Sequence, residues 1–97
     1  MPDRHELFAA LDGALRVVER AIASEMHTRD GEPARSRLER LRVELVTERQ
    51  AAMAPGGGGA LDREWVARTV RAVAEWAPDD EVQLIAALGR IARVVAS

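Results

Sequence analysis

The sequence predicts an all-α protein in which two antiparallel helical hairpins form a small four-helix bundle. Apolar residues recur every three or four positions in four segments, no segment alternates with a period of two, and Pro or Gly separates the segments. Because the chain has only 97 residues, we expect one helical domain over 1–97. Within it we expect a long hairpin at 3–54, a Gly-rich linker at 55–60 and a short hairpin at 61–96.

The start and end signals place the four helices at about 3–28, 33–54, 61–77 and 79–96. Asp3 and Glu6 have the spacing of a capping box, and Pro33 suits the first position of the second helix. The four glycines of Gly56–Gly59 cannot hold a helix, so we expect a flexible linker there. The acidic residues before the fourth helix favour the positive end of its dipole.

The first two helices carry apolar stripes that predict how they pack. The stripes are Phe8, Leu11, Leu15, Val18, Ile22 and Met26 on the first helix, and Ala34, Leu38, Leu41, Leu45 and Ala52 on the second. The second stripe is narrow, as in an antiparallel coiled coil. If the chain folds back at Asp30-Gly31, the flanking charges pair as Asp12 with Arg49, Glu19 with Arg42 and Glu25 with Arg37. We assign these residues and Arg35 to fixing the register, because each exposed pair contributes only ~0.3–1 kcal/mol.

Composition narrows the class of protein. The chain has 14 basic and 16 acidic residues, a net charge of −2, and no cysteine. A strongly cationic nucleic-acid coat protein is therefore excluded, as are zinc–thiolate and cysteine-nucleophile chemistry.

No apolar run reaches the roughly 20 residues that span a membrane, and no signal-peptide core is present, so we expect a cytoplasmic protein. Arginine without lysine is typical of GC-rich coding and suggests a bacterial source.

The third helix carries the leading functional hypothesis. Its apolar arc is wider than one neighbouring helix covers, and two tryptophans three turns apart flank small residues on it. We expect this face to bind a protein partner, either a second copy in a homodimer or another protein; the alternative is that both tryptophan rings close the core of the bundle itself. The expected contact residues are Trp65, Thr69, Ala72, Val73 and Trp76. The function would be that of an accessory subunit, adaptor or inhibitor.

Two alternatives remain open. Arg37 and Arg40 could contact phosphates in a nucleic-acid-associated regulator, although the lack of lysine disfavours nucleic acid as a partner. A small helical enzyme could use Glu44 or Glu48 as a general base.

We expect no catalytic residues, no metal and no cofactor. Neither His5 nor His27 belongs to the Glu-x-x-His motif of carboxylate-bridged metal bundles. His27 is expected in the last turn of the first helix, beside Asp30.

Overall fold

The computed structural model describes residues 4–54 and 61–96, which form the predicted four-helix bundle. The helices are α1 (Arg4–Ala23), α2 (Arg35–Met53), α3 (Arg63–Trp76) and α4 (Val82–Ala96). Within these residues the only β-type pairing is an isolated bridge between His27 and Pro33. The capping box at Asp3 and the linker over 55–60 lie outside the described residues.

The helices pack in the order α2, α1, α4, α3. α1 packs against both α2 and α4, and α3 packs against α4, but no Cα atom of α2 lies within 8 Å of a Cα atom of α3. The α1–α2 loop and the α3–α4 loop meet at the same end of the bundle, where Arg29 contacts Trp76 and Asp79. Successive helices therefore run in opposite directions, and the contact missing from the bundle is the one between α2 and α3.

The core confirms the predicted apolar stripe of α2. The buried face of α1 is rotated relative to its predicted stripe. All five stripe residues of α2 are buried. On α1 the buried residues are Leu7, Ala10, Leu11, Ala14, Val18 and Ala21, whereas Phe8, Leu15 and Ile22 are only partly buried. The prediction assumed one neighbouring helix. Because α1 has two neighbours, its buried face is centred between them.

The first helix ends at Ala23, five residues before the expected end. The N–H of Glu25 donates to the Ile22 carbonyl at 3.1 Å, and the N–H of Met26 donates to the Ala21 carbonyl at 3.3 Å. These two bonds form a Schellman motif, with Glu25 in the left-handed region at φ 55°. Glycine usually occupies this position. Because the sequence has Glu25 there, no glycine marks the end of the helix, and the predicted helix is too long. His27 therefore lies in the loop and not in the last turn of α1.

The loop between α1 and α2 is a tight turn. The N–H of Gly31 donates to the Thr28 carbonyl at 2.9 Å, and Gly31 has the positive φ of 89° that this turn requires. Thr28 is buried; its N–H donates to the Glu32 carbonyl at 2.7 Å, and its Oγ1 accepts from the Glu32 N–H at 3.2 Å. The turn therefore satisfies its own polar groups and presents Arg29 to the other hairpin.

Arg29 joins the two hairpins. Its backbone N–H donates to the carbonyl of Trp76 at 2.8 Å. Its Nη2 lies 3.3 Å from the carbonyl oxygens of Ala74 and Ala77, and 3.0 Å from Oδ1 of Asp79. These carbonyls belong to the C-terminal end of α3, where the helix dipole favours a cation and the last carbonyls lack helical partners.

One of the three predicted register pairs is confirmed. Nε of Arg49 lies 2.8 Å from Oδ1 of Asp12. Glu19 and Arg42 line one surface depression between α1 and α2 but form no ion pair within 4.0 Å in the described chain. The Asp12–Arg49 contact therefore has the predicted register, and one ion pair holds it where three were expected.

The third pair, Glu25 with Arg37, is wrong. Glu25 lies in the left-handed turn beyond α1, and the guanidinium of Arg37 lies 5.9 Å from the centroid of the Trp76 ring. Arg35 donates to Oε1 of Glu39 at 3.0 Å within α2. Arg37 thus contacts Trp76 and not the expected Glu25, and Arg35 pairs within its own helix.

A double-mutant cycle should separate the two pairs. Asp12→Asn and Arg49→Gln should show a coupling free energy of unfolding of ~0.3–1 kcal/mol, because their ion pair is partly exposed. Glu19→Gln and Arg42→Gln should show coupling near zero. Urea unfolding of the single and double variants measures both values. A larger coupling for Glu19 and Arg42 than for Asp12 and Arg49 would contradict the assignment of the ion pair to Asp12 and Arg49.

The Arg29 contacts should contribute measurably to stability. Arg29→Ala should lower the free energy of unfolding by about 1–2 kcal/mol, because charge-assisted hydrogen bonds to helix-terminal carbonyls are lost. Asp79→Ala should change it by less than about 0.5 kcal/mol, since the Asp79 side chain is 93% exposed. Thermal and urea unfolding give both values. An equal cost for the two variants would show that the ion pair, and not the carbonyl contacts, joins the hairpins.

Candidate functional site

The space between α2 and α3 forms a groove of about 560 Å³. We call it the α2–α3 groove. Its lining residues are Arg37, Arg40, Leu41 and Glu44 from α2, and Trp65, Arg68, Thr69, Ala72, Val73, Glu75 and Trp76 from α3. The groove thus brings together all five residues expected to bind a protein partner and both arginines expected to bind nucleic acid.

The start of α3 is fixed by its N-cap. Oδ1 of Asp62 accepts hydrogen bonds from the backbone N–H groups of Glu64 at 2.9 Å and Trp65 at 3.3 Å. These bonds satisfy two donors that a helix start leaves unpaired. Leu61, just before the cap, is buried in the core. The Asp62 cap and the buried Leu61 therefore both fix the first turn of α3, which carries Trp65.

Trp65 crosses one end of the α2–α3 groove. The ring is buried, and its Nε1–H donates to Oε1 of Glu44 on α2 at 2.9 Å. The other carboxylate oxygen of Glu44 lies 3.5 Å from Nε of Arg40. A buried indole N–H needs an acceptor, and Glu44 supplies it. Trp65 is therefore a core residue that bridges α2 and α3 by a side-chain contact.

Trp76 marks the other end. The ring is partly buried, and the guanidinium of Arg37 lies 5.9 Å from its centroid, within cation–π range. Between the tryptophans, Val73 is buried, Thr69 is half-buried and Ala72 is exposed. The middle of the groove is thus lined on the α3 side by small side chains.

The rim of the α2–α3 groove carries three arginines and two carboxylates. Glu44 is engaged with Trp65 and Arg40. Arg68 forms no ion pair or side-chain hydrogen bond with the described residues. The rim has an excess of positive charge, and Arg68 is the cation available to a ligand.

Glu48 lies on α2 near the start of α3 but does not line the α2–α3 groove. Burial raises the pKa of its carboxyl, and the negative charges of Asp62 and Glu44 add to that shift. A backbone hydrogen bond from Asp62 acts in the opposite direction. Of the two glutamates considered as general bases, Glu48 has no access to this groove and Glu44 is hydrogen-bonded to Trp65.

Sequence reasoning did not single out several residues of this region. Arg68 has no distinguishing pattern, because it is one arginine among many. Asp62 could have been found, since Asp immediately before an amphipathic helix is a strong N-cap signal. The pairing of Glu44 with Trp65 depends on how far α2 and α3 stand apart, which the sequence does not encode locally.

Comparison of the chain with protein-family models, with curated proteins and with solved structures finds no match. Among the described residues, no group of three or more His, Asp or Glu side chains is placed to hold a metal ion. No described helix is long and apolar enough to cross a membrane. Function must therefore be inferred from the geometry and charge of the α2–α3 groove.

The raised pKa of Glu48 predicts a pH-dependent stability difference. A carboxyl whose pKa is higher in the folded state destabilises the fold as pH rises from the ordinary glutamate range through the raised value. Glu48→Gln removes that loss, so it should raise the melting temperature at pH 7 and leave it nearly unchanged at pH 3. Glu32→Gln, on the exposed loop, serves as the matched control. An equal gain at both pH values would point to packing and not to ionisation.

Proposed function

We propose that the protein is a non-catalytic interaction module that binds an acidic, amphipathic segment of another protein in the α2–α3 groove. The observation that carries the proposal is the missing contact between α2 and α3. The other neighbouring helices of the bundle pack directly, whereas these two are joined by side chains near the ends of the groove. The space between those bridges is open to a ligand.

The size of the α2–α3 groove suits a short helix or an extended segment. From Trp65 to Trp76 the lining of α3 extends about 16 Å at 1.5 Å per residue. Three turns of a bound helix cover that length. Thr69 and Ala72 leave room at the centre, where a large apolar side chain of the partner can be anchored between the tryptophans.

The charge of the rim favours an acidic partner. Arg68 forms no ion pair with the residues that the structure describes and can pair with a carboxylate of the partner, and Arg37 is exposed over Trp76. Complementary charge increases the rate of association and orients the bound segment. An acidic side chain next to an apolar anchor would therefore bind better than a basic one.

A second copy of the chain is the competing occupant, corresponding to the homodimer suggested by the sequence. Val82 and Ile85 on α4 are 66% and 38% exposed and follow the acidic residues Asp79, Asp80 and Glu81. This patch has the chemistry that the groove would accept. We favour another protein because the patch comprises only the first turn of α4, which is shorter than the α2–α3 groove.

Peptide selection tests the proposal. Random peptides displayed on phage are selected on the immobilised protein, and the selected sequences are synthesised. We expect sequences that combine Asp or Glu with large apolar residues and bind with dissociation constants of about 1–10 μM. Ala72→Arg should weaken binding at least tenfold, because it places a long charged side chain at the centre of the groove. Ala67→Arg, on an exposed position of α3 outside the groove, should leave binding unchanged.

Three results would contradict the proposal. Selected peptides could bind Ala72→Arg as tightly as the original protein, which would place the binding surface elsewhere. Light scattering could show a dimer that Ala72→Arg dissociates, which would make a second copy the occupant. A single-stranded oligonucleotide could bind more tightly than the peptides, with affinity that falls steeply with salt and depends on Arg37 and Arg40; this would favour the nucleic-acid alternative.

A further inference from the structure

A separate cavity of about 260 Å³ lies where α1 and α2 meet the loop between them. We call it the hairpin pocket. Its buried or partly buried lining is apolar and consists of Ala21, Ile22, Met26 and Leu38. Its exposed lining residues are Glu25, His27, Pro33 and Arg35. The pocket thus has an apolar base and a rim that carries the carboxylate of Glu25, the imidazole of His27 and the guanidinium of Arg35.

Glu25 occupies its place in the rim at a conformational cost. It adopts the left-handed φ of 55° at the end of α1, where side chains other than Gly and Asn are disfavoured. Glycine would form the same Schellman motif without that strain. Residues held in such conformations cluster at ligand-binding sites, so Glu25 is a candidate ligand-binding residue of the pocket.

The carboxylate of Glu25 has no cation partner within the described residues. Arg35, which also lines the hairpin pocket, is held by Glu39 at 3.0 Å. An adjoining depression shares Ile22 and Arg35 with the hairpin pocket. It is also lined by two carboxylates, those of Glu19 and Glu39, and by one further guanidinium, that of Arg42. The surroundings of the pocket therefore favour a positive charge on a ligand.

We propose that the hairpin pocket binds a small primary ammonium compound with a branched or cyclic apolar body. The ammonium group pairs with the carboxylate of Glu25. The apolar body contacts Ala21, Ile22 and Met26. This site lies apart from the α2–α3 groove, with which it shares no lining residue, and it does not depend on the function proposed for that groove.

Cyclohexylmethylamine is the probe for the test. Cyclohexylmethanol and cyclohexanecarboxylate are the neutral and anionic controls of nearly the same shape. At pH 7 and constant ionic strength, titration followed by amide chemical shifts should give a dissociation constant of about 1 mM for the amine, an ordinary value for so small a ligand. The shifts should centre on Ala21, Ile22 and Met26. Both controls should bind at least tenfold more weakly.

Two substitutions at Glu25 separate its roles. Glu25→Gln keeps the shape of the side chain and should reduce the affinity for the amine at least tenfold, to that of the alcohol. Glu25→Gly should do the same and also raise the melting temperature, because glycine relieves the left-handed strain. Glu32→Gln, a loop carboxylate outside the pocket, should change neither property.

Any of four results would overturn the proposal. The amine could fail to shift the pocket amides, or the alcohol or the carboxylate could bind as tightly as the amine. Glu25→Gln could retain the preference for the amine. Glu25→Gly could bind the amine as the original chain does.

Discussion

The position of α1 between α2 and α4 is the constraint on which the rest of the structure depends. α1 contacts both helices, and small residues occur along its boundary with α4, namely Ala10, Gly13 and Ala14 on α1, and Ala86 and Ala87 on α4. Small side chains let helix backbones approach closely. Since α1 packs between α2 and α4, and α3 packs against α4 alone, α2 and α3 are left without direct helix packing. The α2–α3 groove is therefore a consequence of how α1 packs.

Side chains replace helix packing along the open side of the bundle. The hydrogen bond from Trp65 to Glu44 and the stacking of Arg37 over Trp76 join α2 and α3 at the two ends of the groove. At the loop end, Arg29 adds a link between the hairpins that uses the backbone of α3. The helices are thus held at a fixed spacing while the middle of the groove stays open. A site held by rigid helices can bind a ligand without first ordering its own lining.

The parts of this structure that follow from local periodicity could be predicted from the sequence. The seam of α2, the ion pair between Asp12 and Arg49, and the shared face of Trp65 and Trp76 all depend on residue spacing within a helix or across one hairpin. The buried face of α1 was misjudged because it depends on a third helix that periodicity does not identify. The end of α1 was missed because Glu25 adopts a conformation that its residue type disfavours. The role of Arg29 depends on contacts with residues 45 or more positions away.

The arrangement of α4 has a consequence for the order in which the chain can fold. α4 packs against both α1 and α3, and it follows both of them in the sequence. During synthesis α1 and α2 can form their hairpin as soon as they leave the ribosome, because their contacts are local. α3 then has no helix to pack against until α4 has been made. Its apolar face, including Val66 and Val73, can be buried only when α4 docks, and this docking completes the bundle.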